Sequence, residues 1–205
     1  MIQAVVWDLG RVLIEFDPEA FYDREIGETR RKQLFQAVDL HAYNLRVDEG
    51  EPLLETFQEA ARAAPEFTTE IMFWATRWIE MASPSIPGSV ALLEQLKAQG
   101  TRLLALTNFG VDTFEIASAH YPFLGLFDEL YVSGRLKQIK PDAGIYDALE
   151  QGCGLPPESL LFTDDRPENI AAAAARGWKT HLFEGPQGWA DCLAHHGVLP
   201  EETPA

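Results

Sequence analysis

Val5-Val6-Trp7-Asp8-Leu9-Gly10 is the stretch whose reading decides the fold. An apolar, β-branched run ends in a carboxylate, and glycine follows two residues later. Apolar residues on both sides of the run suit a strand buried on both faces of a parallel sheet. Asp8 then stands at the carboxyl end of that strand, where open α/β sheets place their ligand crevice. Gly10 lets the chain turn sharply and brings backbone groups close to whatever Asp8 holds. Taken alone, Asp8 reads equally well as a turn residue that satisfies backbone donors. Its partners decide the matter.

Downstream the chain keeps its apolar character through Val12-Leu13-Ile14, and Asp17-Pro18 then supplies an N-cap and first-turn pair for a helix. From 17 to 82 the segments are charged, alanine-rich and helical in period, with Phe21, Leu34, Phe57, Trp74 and Trp78 on the apolar faces. This region is expected to be a helical cap inserted into an α/β core formed by 1–16 and 83–205. After the linker Ser83-Pro84-Ser85-Ile86-Pro87-Gly88, strands are expected at 102–106, 131–132, 160–162 and 179–183. Helices are expected around 90–96, 114–119, 143–150, 169–176 and 189–195, with Gly100 and Gly177 as stops. The last residues are expected to fray. Strands alternating with helices predict a doubly wound parallel sheet of the Rossmann-like kind.

The composition narrows the function. At 205 residues, with 46% hydrophobic and 23% charged residues, the chain is expected to be one domain, or one domain with an insert. A net charge of −16 repels nucleic acid and anionic membrane surfaces, so an anionic substrate needs a local electropositive pocket. Two cysteines, Cys153 and Cys192, are too few for a disulfide framework and fit a reducing compartment. No apolar run is long enough to span a bilayer, and no leader-like segment precedes the first strand. A cytoplasmic protein is expected, with its oligomeric state left open.

Asp8, Thr107 and the pair Asp164-Asp165 each end an expected strand, which sets them on one crest of the sheet. Lys140-Pro141 lies in a loop that reaches the same edge. Three carboxylates in one cleft repel unless a divalent cation joins them. Oxygen-only ligands favour a hard ion, Mg2+, which pairs with substrate phosphate oxygens. A lysine and a threonine hydroxyl suit the remaining oxygens of a phosphoryl group, and Asp8 suits nucleophilic attack on phosphorus. Each residue alone has an ordinary structural reading, such as a helix cap or a solvated charge; the set in this order does not.

With these residues in hand, the chain resembles the haloacid dehalogenase superfamily, in its branch of small phosphatase-like hydrolases with a helical cap. The resemblance rests on Trp7-Asp8-Leu9-Gly10-Arg11-Val12-Leu13, Leu106-Thr107-Asn108, Ile139-Lys140-Pro141-Asp142 and Phe162-Thr163-Asp164-Asp165 with Asn169. It implies that Asp8 is nucleophile and metal ligand, and that Thr107 and Asn108 bind the phosphoryl group. It further implies that Lys140 holds the nucleophile and neutralises charge, and that Asp165 binds Mg2+, with Asp164 bound directly or through water. Gly10 would give the metal its carbonyl, and Asn169 would orient its neighbours. The cap would close over the site and select substrate. Asn44 is a candidate substrate contact there, with Tyr43, Asp48 and Trp74 as further candidates to face the cleft, although for the two aromatics packing inside the cap is the favoured reading.

There is one departure. The superfamily's first motif carries a second aspartate, a general acid and base, where this chain has Gly10. General acid–base help is worth about 10²–10⁴-fold. Its absence predicts a preference for activated substrates such as aryl, acyl or anomeric sugar phosphates, unless Glu15 or Asp17 substitutes. Two other readings stand beside a Mg2+-dependent phosphatase of a small phosphorylated metabolite. One is a 2-haloacid dehalogenase in which Asp8 attacks carbon, against which the Asp164-Asp165 pair speaks. The other is a non-catalytic binding member, against which Asp8, Lys140 and Asp165 speak.

Overall fold

In the computed structural model β1 (Ala4–Trp7) is the middle strand of the sheet. The model describes residues 1–200, and the frayed tail expected at the end of the chain lies, at 201–205, outside them. β2 (Arg102–Thr107) and β4 (Leu160–Asp164) flank β1; β3 (Glu129–Val132) lies outside β2 and β5 (Lys179–Leu182) outside β4. All four pairings are parallel. Trp7 aligns with Ala105 and Thr163, so Asp8 emerges one step beyond, its N–H on the Thr163 carbonyl at 3.0 Å.

Alternate residues along each strand serve opposite faces, as the two-residue period requires. Val5, Trp7, Leu103, Ala105 and Leu161 join one apolar cluster; Ala4, Val6, Leu104, Leu106 and Phe162 join the other. The chain before β2 forms α1 (Pro18–Ile26), α2 (Glu28–Ala37), α3 (Leu40–Asp48), α4 (Leu53–Ala63), α5 (Thr68–Thr76), α6 (Trp78–Met81) and α7 (Pro87–Ala98). The later helices are α8 (Val111–His120), α9 (Ser133–Leu136), α10 (Ala143–Cys153), α11 (Pro167–Ala175) and α12 (Pro186–His195). Leu93 and Leu96 of α7, Phe114 of α8 and Trp189 of α12 cover the first face. Ile145 and Leu149 of α10 and Ala173 of α11 cover the second. Helices on both faces of a parallel sheet make this a doubly wound α/β fold. No helix among the described residues is long and apolar enough to cross a membrane.

α1 to α6 leave and rejoin the sheet at one place. The Asp17 N–H meets the Met81 carbonyl at 3.0 Å, that of Glu15 meets Pro84 at 2.9 Å, and that of Ile86 meets Leu13 at 2.8 Å. Asp17 caps α1, its carboxylate accepting the Ala20 N–H at 2.9 Å. Trp74 stacks on Phe57 with ring centroids 5.5 Å apart, inside the insert rather than in the cleft. Tyr43 is half-buried against Phe57 and under the Arg46 guanidinium.

Several boundaries differ from the sequence reading. β4 runs two residues past the expected end at 162, because β5 pairs with it as far as Asp164 opposite Leu182. Polar Thr163 and Asp164 are therefore interior strand residues, both with no exposed surface. α8 starts at Val111, α11 at Pro167 and α12 at Pro186, earlier than the apolar pattern shows. Proline in the first turn begins the last two, a position where its missing N–H costs nothing. α10 continues to Cys153, where left-handed Gly154 (φ 65°) ends it.

Candidate active site

The carboxyl ends of the central strands converge on one ammonium group. Lys140, in the loop ahead of α10, is buried, with its side chain only 1% exposed. Its Nζ lies 2.8 Å from Asp8 Oδ1, 2.6 Å from Asp164 Oδ2 and 2.8 Å from the Leu106 carbonyl. Three donors meet three acceptors, the condition for burying an ammonium without an orphaned proton. The loop is itself pinned: Asn108 accepts the Lys140 N–H at 2.8 Å and donates to the Lys140 carbonyl at 3.0 Å. The Asn108 side chain therefore serves Lys140, which leaves its backbone as what it can offer a phosphoryl group.

Asp164 is fully occupied. Besides Lys140, its oxygens accept the Arg166 N–H at 2.8 Å and the Asn169 amide at 3.0 Å each. Asp165, the next residue, is half-buried. Among the described residues, Asp8, Asp164 and Asp165 each bring one carboxylate oxygen to within 4.8 Å of the others. Three carboxylates against one ammonium leave an excess of negative charge, and a hard divalent cation on oxygen donors fits it. Of the three, Asp8 and Asp165 keep free lone pairs for an ion, whereas Asp164 has spent its own on holding Lys140 and Asn169.

The electrostatics follow. Burial pushes the Asp8 carboxyl up to about 7; Lys140 pulls it down, while Asp164 and Asp165 push it up. Burial works against the Lys140 charge, but Asp8 and Asp164 outweigh it and hold its pKa above the ordinary value. Burial and then Asp164 raise Asp165, against the nearby Arg11 guanidinium. Thr107 ends β2 with no exposed surface, and its hydroxyl has no hydrogen-bond partner. An orphaned buried hydroxyl costs about 1–3 kcal/mol, so its place beside this cluster points to a polar group from outside the chain.

The haloacid dehalogenase-like hydrolase family matches residues 2–177. The chain belongs to that family. This hydrolase is 30% identical over 191 residues to a phosphoglycolate phosphatase of Rhodospirillum rubrum, covering 86% of the chain and 77% of the relative. It is 23% identical over 199 residues to a drimenol cyclase of Aspergillus calidoustus, covering 89% of the chain and 34% of that protein. In this and two further curated relatives, the match spans about a third to a half of their length. Among solved structures, a HAD family enzyme of Bacteroides thetaiotaomicron in complex with magnesium and inorganic phosphate superposes with a TM-score of 0.75. That pair is 20% identical over 94% of this chain and 99% of the other, a likeness of fold.

For this haloacid dehalogenase-like hydrolase the geometry around Gly10 is informative. Gly10 is not left-handed, and a Cβ there would meet only Phe109 Cε2, at 4.0 Å. The left-handed residue is instead Arg11, φ 57°, whose guanidinium donates to the Phe16 carbonyl at 3.3 Å. Neither Glu15 nor Asp17 is well placed to replace the missing acid: Asp17 is exposed and caps α1, and Glu15 is exposed. Asn44 accepts the Trp74 indole N–H at 3.0 Å and donates to Asp48 Oδ2 at 2.9 Å, which leaves one N–H free.

The sequence reading passes over the contact between insert and sheet. Ser133 accepts the Phe109 N–H at 2.9 Å and donates to the Asp48 carbonyl at 2.6 Å. A Cβ on Gly110 would lie 2.4 Å from Val47 Cγ1, and one on Gly134 2.9 Å from Gly110 Cα. Only glycine permits so close an approach. The signal was there in Gly110 and Ser133-Gly134, small residues just past strand ends.

Proposed function

We propose that this hydrolase is a Mg2+-dependent phosphatase that acts on a small phosphorylated metabolite through an aspartyl-phosphate on Asp8. The observation that carries the reading is the cluster of Asp8, Lys140, Asp164 and Asp165 beside the unpartnered Thr107 hydroxyl. In this reading Asp8, the Gly10 carbonyl and Asp165 would hold the ion, with Asp164 behind them, and the ion would supply charge neutralisation for the phosphoryl oxygens. Lys140 and Thr107 take the remaining oxygens, with the Asn108 backbone beside them and the free Asn44 N–H on the cap side. The insert, residues 17–82, acts as the cap that selects substrate.

Chemically, one Asp8 oxygen attacks phosphorus while the bond to the leaving oxygen breaks. Lys140 fixes the other side of that carboxylate and offsets the charge that accumulates at phosphorus. Water then attacks phosphorus of the acyl phosphate, which releases inorganic phosphate and restores Asp8. The named phosphatase relatives agree with this class of reaction. In the alternative, a 2-haloacid dehalogenase, Asp8 attacks carbon and no cation is required, which leaves the convergence of three carboxylates without a purpose. A panel of metabolite phosphates and p-nitrophenyl phosphate, assayed with Mg2+ and with chelator, tests the reading. Phosphate release dependent on Mg2+ is expected; halide release from 2-haloacids in chelator would replace it by the alternative.

A further inference from the structure

The missing acid at Gly10 has a counterpart on the insert. We infer that Asp48, at the end of α3, is the general acid and base of this active site, supplying the proton that no side chain at position 10 can supply. The inference rests on the phosphatase reading above and deepens it.

Asp48 belongs to the insert in sequence but to the sheet crest in space. Its carbonyl is held by Ser133, the residue that follows β3. Val47 lies against Gly110, three residues beyond Thr107, and a Cβ on Gly50 would lie 2.7 Å from the Gly134 carbonyl oxygen. Residues 47–50 are thus clamped onto the loops that leave the strand ends beside the nucleophile. The carboxyl is set in turn by a short relay: buried Trp74 holds the Asn44 carbonyl, and Asn44 holds Asp48 Oδ2. A fixed orientation is what a proton donor needs.

The environment of the carboxyl fits the role. Burial holds it well above the usual carboxylate range, Asp8 and Glu49 adding to the effect and the Gly110 N–H working against it. Asp48 is thus coupled electrostatically to Asp8, although 40 residues separate them in sequence. Among the described residues no basic side chain pairs with its carboxylate, in contrast to Asp23, Glu51, Asp128 and Asp147, each of which has an arginine or lysine partner. A carboxyl that holds its proton more tightly than usual is suited to donate it to a leaving group, whereas an ionised one repels an anionic substrate.

The steps balance. As Asp8 attacks, the phosphorus–oxygen bond to the leaving group breaks, and the Asp48 proton passes to that oxygen to give the free alcohol. Asp48, now a carboxylate, takes a proton from the water that attacks the acyl phosphate. Phosphate leaves, and both carboxyl groups return to their starting states.

The test is the dependence of kcat/KM on leaving-group pKa, from p-nitrophenyl through phenyl to alkyl phosphates, for the unaltered protein and Asp48→Asn. The unaltered protein is expected to show a shallow dependence. Asp48→Asn is expected to lose about 10²–10⁴-fold on alkyl esters and far less on p-nitrophenyl phosphate, whose leaving group departs without a proton. Gly10→Asp in the Asp48→Asn background, for which the backbone has room, is expected to recover alkyl ester hydrolysis. An equal loss on every ester, with a melting temperature matching the unaltered protein, would overturn the assignment. So would a steep dependence in the unaltered protein. Failure of the unaltered protein to hydrolyse even p-nitrophenyl phosphate would instead overturn the phosphatase reading.

Discussion

Replacing Lys140 by methionine keeps the bulk of the side chain and removes its charge, which exposes how the site is held together. Lys140 Nζ sits between Asp8 and Asp164 at 2.8 and 2.6 Å, with its side chain 1% exposed. Removing one partner of a buried ion pair costs about 3–5 kcal/mol, because the other charge stays buried and unpaired. Here two carboxylates lose their partner, so the upper half of that range is expected at neutral pH. For a chain of this length that is roughly 8–20 °C in melting temperature. The loss should depend on pH with a defined sign. A carboxyl whose pKa the folded state raises, as it raises that of Asp8, folds without penalty where both states are protonated, below about pH 4. The penalty then grows as pH rises through the folded value, already about 7 for Asp8 with the lysine in place. Urea unfolding of both proteins in chelator, at pH 5 and pH 8, measures it directly. The difference should be larger at pH 8 and shrink toward pH 5. A cost below about 1 kcal/mol at pH 8, or a larger cost at pH 5, would refute the view that the lysine neutralises this cluster.

Three further outcomes follow from the same geometry. Thr107→Val removes a hydroxyl that has no partner among the described residues, so stability should hold or rise while kcat/KM falls about 10–100-fold, the value of one hydrogen bond to a charged group; equal losses of stability and activity would point to a structural role. Mg2+ at about 100 times its dissociation constant should stabilise the unaltered protein by about 2.7 kcal/mol, roughly 5–10 °C. Asp165→Ala should abolish that shift in a thermal melt, whereas an undiminished shift would place the ion elsewhere.

How much of this was legible in the sequence depended on range. Asp8, Thr107 and Asp165 could be placed together because each lies at or next to a strand end, and parallel strands bring their ends to one edge; Lys140 could be placed only as a loop residue within reach of that edge. The difference between Asp164 and Asp165 was not legible. Two adjacent carboxylates look alike until the pairing of β4 with β5 carries the strand two residues further and makes Asp164 a buried strand residue. The turn after β1 was half legible: a tight turn is there, yet Arg11 rather than Gly10 takes the left-handed conformation. Asp48 was named as a residue near the cleft, but its standing depends on Gly50, Gly110 and Gly134, which let backbones from three distant segments touch. Nothing local to residues 40–50 carries that contact. Asn44, read as a substrate contact, turned out to hold the very carboxyl that the contact fixes.

The claim on which everything else stands is that Asp8 carries the phosphoryl group. A single turnover of p-nitrophenyl phosphate with Mg2+, quenched in acid and mapped by mass spectrometry, tests it most directly. One phosphoryl group on the peptide that contains Asp8, present at early times and absent in Asp8→Asn, is the predicted result. Phosphate release with no such adduct, or an adduct on another residue, would contradict it.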